Sequence, residues 1–143
     1  MTRLKWKAYD YTAQLTSGGA ITFRPLMELL VSSHTRKHPG SILALIDSGT
    51  DSMVFSAAIA RSLGIDPRTC QKVRLGGIGT SEGFISDIKI TVADFNASID
   101  LPVIFIDNPP FDALLGQRHF FERFKVRFEK DINKFYLAPV AEV

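Results

Sequence analysis

The sequence predicts a mostly β fold carrying two short helices, and three observations lead there. Ile88, Ile90 and Val92 alternate with Asp87, Lys89 and Thr91, the period of a half-buried strand. Two extended runs flank Gly76-Gly77-Ile78-Gly79, the pattern of a long hairpin with a glycine-rich tip. Helical periodicity is confined to two brief windows, residues 52–63 and the stretch around Phe120.

In chain order, residues 3–11 carry Leu4, Trp6, Tyr9 and Tyr11 and read as extended up to the Gly18-Gly19 break. Ala20 to Val31 is a second extended segment, in which Pro25 marks an edge or a bulge. A polar loop over Thr35 to Gly40 leads into the charge-free strand 41–46. Over 52–63, Met53, Val54, Ala57, Ala58 and Leu63 share a helical face, with Gly64 as the stop. Lys72 to Leu75 and the run from Phe84 onward form the glycine-tipped hairpin. Residues 97–106 give another strand, closed by Asn108-Pro109-Pro110. Ala113-Leu114-Leu115-Gly116 is a short apolar piece before a helix of about two turns, with Phe120, Phe121 and Phe124 on one side. Lys125 to Glu129 and Lys134 to Leu137 finish the chain as a hairpin.

Composition bounds the answer. The 143 residues suit one domain over 1–143, large enough for a sizeable core. Residues 1–19 read as an N-terminal strand region able to contact a partner copy; Trp6, Tyr9 and Tyr11 stay open between core and dimer contact. Net charge is +2 with both signs interspersed, which argues against a nucleic-acid partner. The single cysteine, Cys70, excludes an intramolecular disulfide and fits a reducing compartment. No apolar run approaches a membrane span, and the N-terminus lacks a signal-peptide core, so a cytoplasmic location without a membrane partner is expected. His34 and His38 have i,i+4 spacing but sit in a polar loop with no further ligand beyond the distant His119, so no metal is expected.

The strand 41–46 ends in Asp47-Ser48-Gly49-Thr50-Asp51. A carboxylate at the end of a buried strand is costly unless it is paired or hydrogen-bonded. A small hydroxyl residue and a glycine after it allow a tight turn that presents the acid on a rigid element. The triplet alone is weak, since about one chain of this length in fifteen holds Asp-(Ser/Thr)-Gly by chance. Taken alone it reads equally well as a helix N-cap or a strand-end turn, where Asp and Ser are common. Metal-free peptide hydrolysis needs one carboxylate to deprotonate water and one carboxylic acid to polarise the carbonyl, and two carboxyls ~3 Å apart share a proton and supply both. This chain holds one such turn, half of a dyad.

Asp-Ser-Gly after a buried strand, a glycine-tipped hairpin about thirty residues on, and Leu114-Leu115-Gly116 before a short helix resemble, in that order, the retropepsin family. These are the homodimeric aspartic proteases of retroviruses, retrotransposons and their cellular relatives. The resemblance covers roughly residues 20 to 138. It implies an all-β closed barrel with a flap hairpin and two short helices, active as a homodimer with Asp47 from each subunit on the axis. It further implies an extended, mainly apolar peptide or protein substrate and no cofactor. On the same ground Ser48 would anchor the turn across the axis, Gly49 would present backbone to substrate, and Asp51 would lie at the substrate. Thr50 would donate to Asp47, favouring its ionised form and an acidic pH optimum. Gly76, Gly77, Ile78 and Gly79 would form the flap tip, with Ile78 capping the site. Leu114, Leu115 and Gly116 would support the turn. The family usually has Arg after that glycine, paired with the acid that is Asp51 here; this chain has Gln117, with Arg118 next. Either Arg118 reaches Asp51, or Gln117 makes a neutral hydrogen bond instead. A dimeric peptide-binding module without turnover is the rival reading, and a monomeric barrel with no peptidase role a third.

Overall fold

The computed structural model describes residues 5–75 and 81–140. Among the described residues, twelve strands carry the fold: β1 (Lys7–Asp10), β2 (Thr12–Leu15), β3 (Ile21–Arg24), β4 (Leu26–Ser32), β5 (Ile42–Ile46), β6 (Val54–Ser56), β7 (Gln71–Leu75), β8 (Ser81–Val92), β9 (Ala97–Ile106), β10 (Ala113–Leu115), β11 (Phe124–Glu129) and β12 (Lys134–Pro139). The two α-helices among them are short, α1 (Ala57–Ser62) and α2 (Phe120–Arg123). None of the described helices is long and apolar enough to cross a membrane.

Six strands close a barrel. β5 runs antiparallel to β4 and parallel to β10, β6 is antiparallel to β10 and parallel to β9, and β8 is antiparallel to β9. The ring is completed by β4 against β8, with Val31 opposite Ile90. Closure removes most free edges of the sheet, leaving β7 as an outrigger on β8. Alternation decides which side chains enter: Ile88, Ile90 and Val92 are buried, as are Leu101, Val103 and Phe105 on β9. Phe55 meets Phe105 edge-on at 6.2 Å, and Phe84 stacks on Phe105 at 5.4 Å. Fully burying a side chain of this size contributes about 1.5–3 kcal/mol.

A second sheet, β1-β12-β11, lies beside the barrel, and Tyr9 stacks on the fully buried Phe135 at 5.1 Å. Tyr9 and Tyr11 therefore pack against the core, while Trp6 stays exposed near the Arg127 guanidinium. Burial and the Asp94 carboxylate, which accepts from Tyr9 Oη at 2.9 Å, hold the Tyr9 phenol well above its ordinary range. The third sheet is the isolated hairpin β2–β3 around Gly18-Gly19.

Three expectations need correction. The helix expected over 52–63 starts only at Ala57: Val54–Ser56 pairs with β9 and β10 as a barrel strand. Its apolar residues satisfied both periods, and strand pairing won. Ser56 then caps α1 by accepting from Ala58 N, and Gly64, at φ +72°, ends it. The extended segment Ala20 to Val31 is two strands, broken at Pro25, which has no N–H for a ladder. The helix near Phe120 makes one turn instead of two, because Phe124 enters β11 and packs against Phe95 and Phe120.

Candidate active site

The turn that follows β5 is built by its neighbours. Asp47 N donates to Leu115 O at 3.0 Å, which extends the parallel β5–β10 pairing by one step. Beyond β10 the chain crosses the turn: Gln117 N donates to Thr50 O at 2.8 Å and Arg118 N to Asp51 O at 2.9 Å. Gln117 Nε2 donates to Ser48 O at 2.7 Å. On the other flank Ile46 N donates to Pro25 O at 3.0 Å. Four hydrogen bonds thus fasten residues 47–51 to 115–118.

Gly116 is where the two segments touch. A Cβ built there would lie 2.3 Å from Ser52 O and 2.6 Å from Thr50 O, closer than real Cβ atoms come to anything. Only glycine permits this approach. Leu115 is fully buried beneath it, and Leu114 is half-buried.

Within the turn, the half-buried Asp47 carboxylate accepts two hydrogen bonds. Gly49 N donates to Oδ1 at 2.9 Å, and Thr50 Oγ1 donates to Oδ2 at 2.8 Å. Each oxygen is held by one donor, which fixes the plane of the carboxylate and leaves its remaining lone pairs open. Ser48, Gly49 and Asp51 are exposed, as expected of a turn that faces outward. Asp47, Ser48, Gly49, Thr50, Asp51, Leu114, Leu115, Gly116, Gln117 and Arg118 are therefore brought together. Gly76, Gly77, Ile78 and Gly79 lie outside the described residues; the strands leading to them pair from Gln71↔Ile85 to Leu75↔Ser81.

The choice between Gln117 and Arg118 is settled by geometry. Among the described residues no ion pair joins Arg118 to Asp51. Gln117 makes the neutral bond instead, to the backbone of Ser48.

A cavity of about 1020 Å³ opens on the outer face of β5, bordered by Leu43 and Leu45, by Leu26 and Arg24, and by Phe111 and Asp112. Leu43 and Leu45 alternate with the buried Ile42, Ala44 and Ile46 along β5, and Asp47 is the next residue after the strand. These cavity residues were missed by sequence reasoning. The period-two spacing of Leu43 and Leu45 before Asp47 was the signal that could have found them. A second cavity, about 480 Å³, lies between Ser32–Lys37 and Lys89, Thr91 and Ser98, and none of residues 47–51 lines it. Among the described residues no group of three or more His, Cys, Asp or Glu is placed to hold a metal ion; His38 Nδ1 lies 2.6 Å from Ser62 Oγ.

A retropepsin-like aspartic protease from Rickettsia conorii superposes with a TM-score of 0.61 over 97% of both chains, at 16% sequence identity. The fold is retropepsin-like. The protease of EIAV, in complex with the inhibitor HBY-793, matches with a TM-score of 0.55 at 23% identity, over 69% of this chain and 86% of its own. The retroviral protease-like domain of Ddi1 from Leishmania major matches with a TM-score of 0.52 at 15% identity, over 82% and 94%. No protein-family model matches the sequence, and no curated protein does. The retropepsin-like fold is thus carried by a sequence that has drifted far from these neighbours.

Proposed function

We propose that this chain is an aspartic endopeptidase that works as a homodimer, with Asp47 of each copy forming the catalytic pair. The observation that carries the reading is the Asp47 carboxylate, held by Gly49 N–H and Thr50 Oγ1 on a turn fastened to residues 115–118 of a retropepsin-like barrel. Each chain supplies one such turn, so a C2 dimer completes the pair. The ionised member takes a proton from water, whose oxygen attacks the peptide carbonyl carbon. The protonated member gives its proton to the carbonyl oxygen. On collapse of the tetrahedral intermediate the C–N bond breaks, the carboxyl that took the water proton gives it to the amine nitrogen, and the other carboxylate recovers its proton from a hydroxyl of the intermediate.

The substrate lies extended beside Leu43, Leu45 and Asp47, under the β7–β8 hairpin, and adds main-chain hydrogen bonds in strand fashion. The wall of the adjoining cavity formed by Leu26, Leu43 and Leu45 favours apolar side chains, and Arg24 and Asp112 add charge to its rim. Ser48 supports the turn at the subunit boundary, and Asp51 stands at the substrate's end.

The test is cleavage of casein from pH 3 to 8 by wild type and Asp47→Asn, with and without pepstatin. Cleavage at acidic pH that is lost in the variant and blocked by the inhibitor is expected. A wild-type dimer that cuts nothing points to the dimeric peptide-binding module instead.

A further inference from the structure

The cavity of about 480 Å³ beside residues 32–37 has a wall of one chemical kind. Five of its lining residues are Ser or Thr, the others are His34, Arg36, Lys37 and Lys89, and none is acidic or apolar. Over the whole chain 17 Lys and Arg are balanced by 15 Asp and Glu, so a wall of one sign is a local concentration.

Strand register brings the cations together. Lys89 on β8 lies opposite Ser32 on β4, and Lys37 bridges to Ser32 from the other side. Paired residues of antiparallel strands project to one face, so Lys37, Ser32 and Lys89 form a row. Two strand spacings put the lysine Cα atoms about 10 Å apart, with Ser32 between them. Two residues along β8 on the same face, Thr91 pairs with Ser98, and their hydroxyls lie 2.8 Å apart.

Among the described residues, none of Arg36, Lys37 and Lys89 takes part in an ion pair. Asp100, opposite Lys89 on β9, is the acid nearest in register and makes no ion pair with it. The wall is also preformed. Ser33 Oγ accepts from Thr35 N at 3.3 Å and from Arg36 N at 3.2 Å, and donates to Leu63 O at 2.7 Å, which ties the loop to the end of α1. Cations gathered around one concavity repel one another, and an anion between them turns that repulsion into attraction.

We propose that this cavity binds a small phosphorylated anion, its phosphoryl group seated over Ser32 between Lys37 and Lys89, with Arg36 as the third cation. Phosphoryl oxygens accept from ammonium, guanidinium and hydroxyl donors, and the wall offers all three. No Phe, Tyr, Trp, Leu, Ile or Val lines it, so it holds no seat for a base or an acyl chain. Its volume falls within the range of small-molecule sites, roughly 300–1,000 Å³. Inorganic diphosphate and a sugar phosphate share this chemistry. None of residues 47–51 takes part, so the site stands apart from the peptidase reading.

The test is isothermal titration calorimetry of the full chain with pyrophosphate and with glucose 6-phosphate, in phosphate-free buffer at low salt. Lys37→Gln/Lys89→Gln is compared with Lys72→Gln/Lys125→Gln, which removes the same charge at exposed positions away from the cavity. Saturable binding of one ligand per chain is expected, with Kd weaker by at least about tenfold in the first variant and within about twofold in the second. The tighter of the two ligands then names the source of the phosphoryl group. Both double variants should keep Tm within about 2 °C of wild type. If Lys37→Gln/Lys89→Gln does not fold, Ser32→Ala decides: it leaves every charge in place and should weaken binding by on the order of tenfold. Absence of saturable binding of either ligand up to about 5 mM, equal losses in the two double variants, or sulfate that binds as tightly as pyrophosphate would each overturn the proposal.

Discussion

Gly116→Ala is the most informative single perturbation of the turn 47–51, because it adds a methyl group to a place where two backbones meet. The new Cβ falls 2.3 Å from Ser52 O, 2.6 Å from Thr50 O and 2.9 Å from Ser52 C, whereas ordinary contact begins at 3.4 Å. The shortfall, 3.4 less 2.3, is about 1 Å, and neither side can yield by rotating a side chain. Residues 50–52 or 116–117 must shift as backbone, which stretches the bond from Gln117 N to Thr50 O and disturbs the one from Thr50 Oγ1 to Asp47. Overpacking costs typically 1–3 kcal/mol, and with backbone on both sides the upper end applies, about 3 kcal/mol. For a domain of this size that lowers Tm by roughly 10 °C. Displacing the acid by about 1 Å also costs on the order of a hundredfold in turnover. The assay is thermal unfolding followed by circular dichroism, run beside Gly18→Ala, whose Cβ would meet nothing within 4 Å. Gly18→Ala should lie within about 2 °C of wild type. A Gly116→Ala protein equally close to wild type would refute the packing argument.

Phe105→Ala empties the centre of the barrel, where the ring meets Phe55 and Phe84, and should cost about 3–5 kcal/mol in a urea titration. Gln117→Leu removes the donor to Ser48 O and should cost about 1 kcal/mol, with Tm falling by roughly 3 °C; no change would mean the bond contributes nothing in solution. Thr50→Ala removes the hydroxyl that donates to Asp47 Oδ2 at 2.8 Å and lets the carboxylate turn, so turnover should fall by on the order of tenfold, and an unaltered rate rejects that role. Tyr9 makes an alkaline prediction. Its phenol is raised in the folded state, first by burial and then by Asp94, so its contribution is intact below about pH 10 and is lost as pH climbs toward the folded value. Tyr9→Phe should flatten the fall in Tm between pH 9 and 11 (roughly the range of free tyrosine ionisation), and an equally steep fall in the variant would assign it elsewhere.

The fold was readable where one period dominated. Ile88, Ile90 and Val92 alternate with polar neighbours and point into the barrel as alternation requires. Reading failed where two periods fitted the same residues. Met53, Val54 and Ala57 suit a helix face, yet Val54–Ser56 is claimed by β9 and β10, partners distant in sequence whose pairing no local pattern reveals. A tight turn after Asp47 was legible from Ser48 and Gly49, whereas the bond from the Thr50 hydroxyl to Asp47 was expected only through the resemblance. A neutral hydrogen bond from Gln117 was one of two alternatives, but its partner, Ser48 O, was not foreseen and follows from the path of the chain beyond Gly116. The cavity beside β5 was not read, because it is assembled from segments around residues 14, 26, 45 and 111 that meet only in three dimensions.

The central claim is that two copies of Asp47 act as one unit, and mixing subunits tests it most directly. Wild type and Asp47→Asn protein are combined at fixed total concentration, allowed to exchange subunits, and assayed on casein. If each site needs both acids, activity follows the square of the wild-type fraction, so an equal mixture keeps about a quarter of the starting rate. A linear decline, with about half the rate at equal parts, would mean that one copy of Asp47 suffices and would contradict the shared pair.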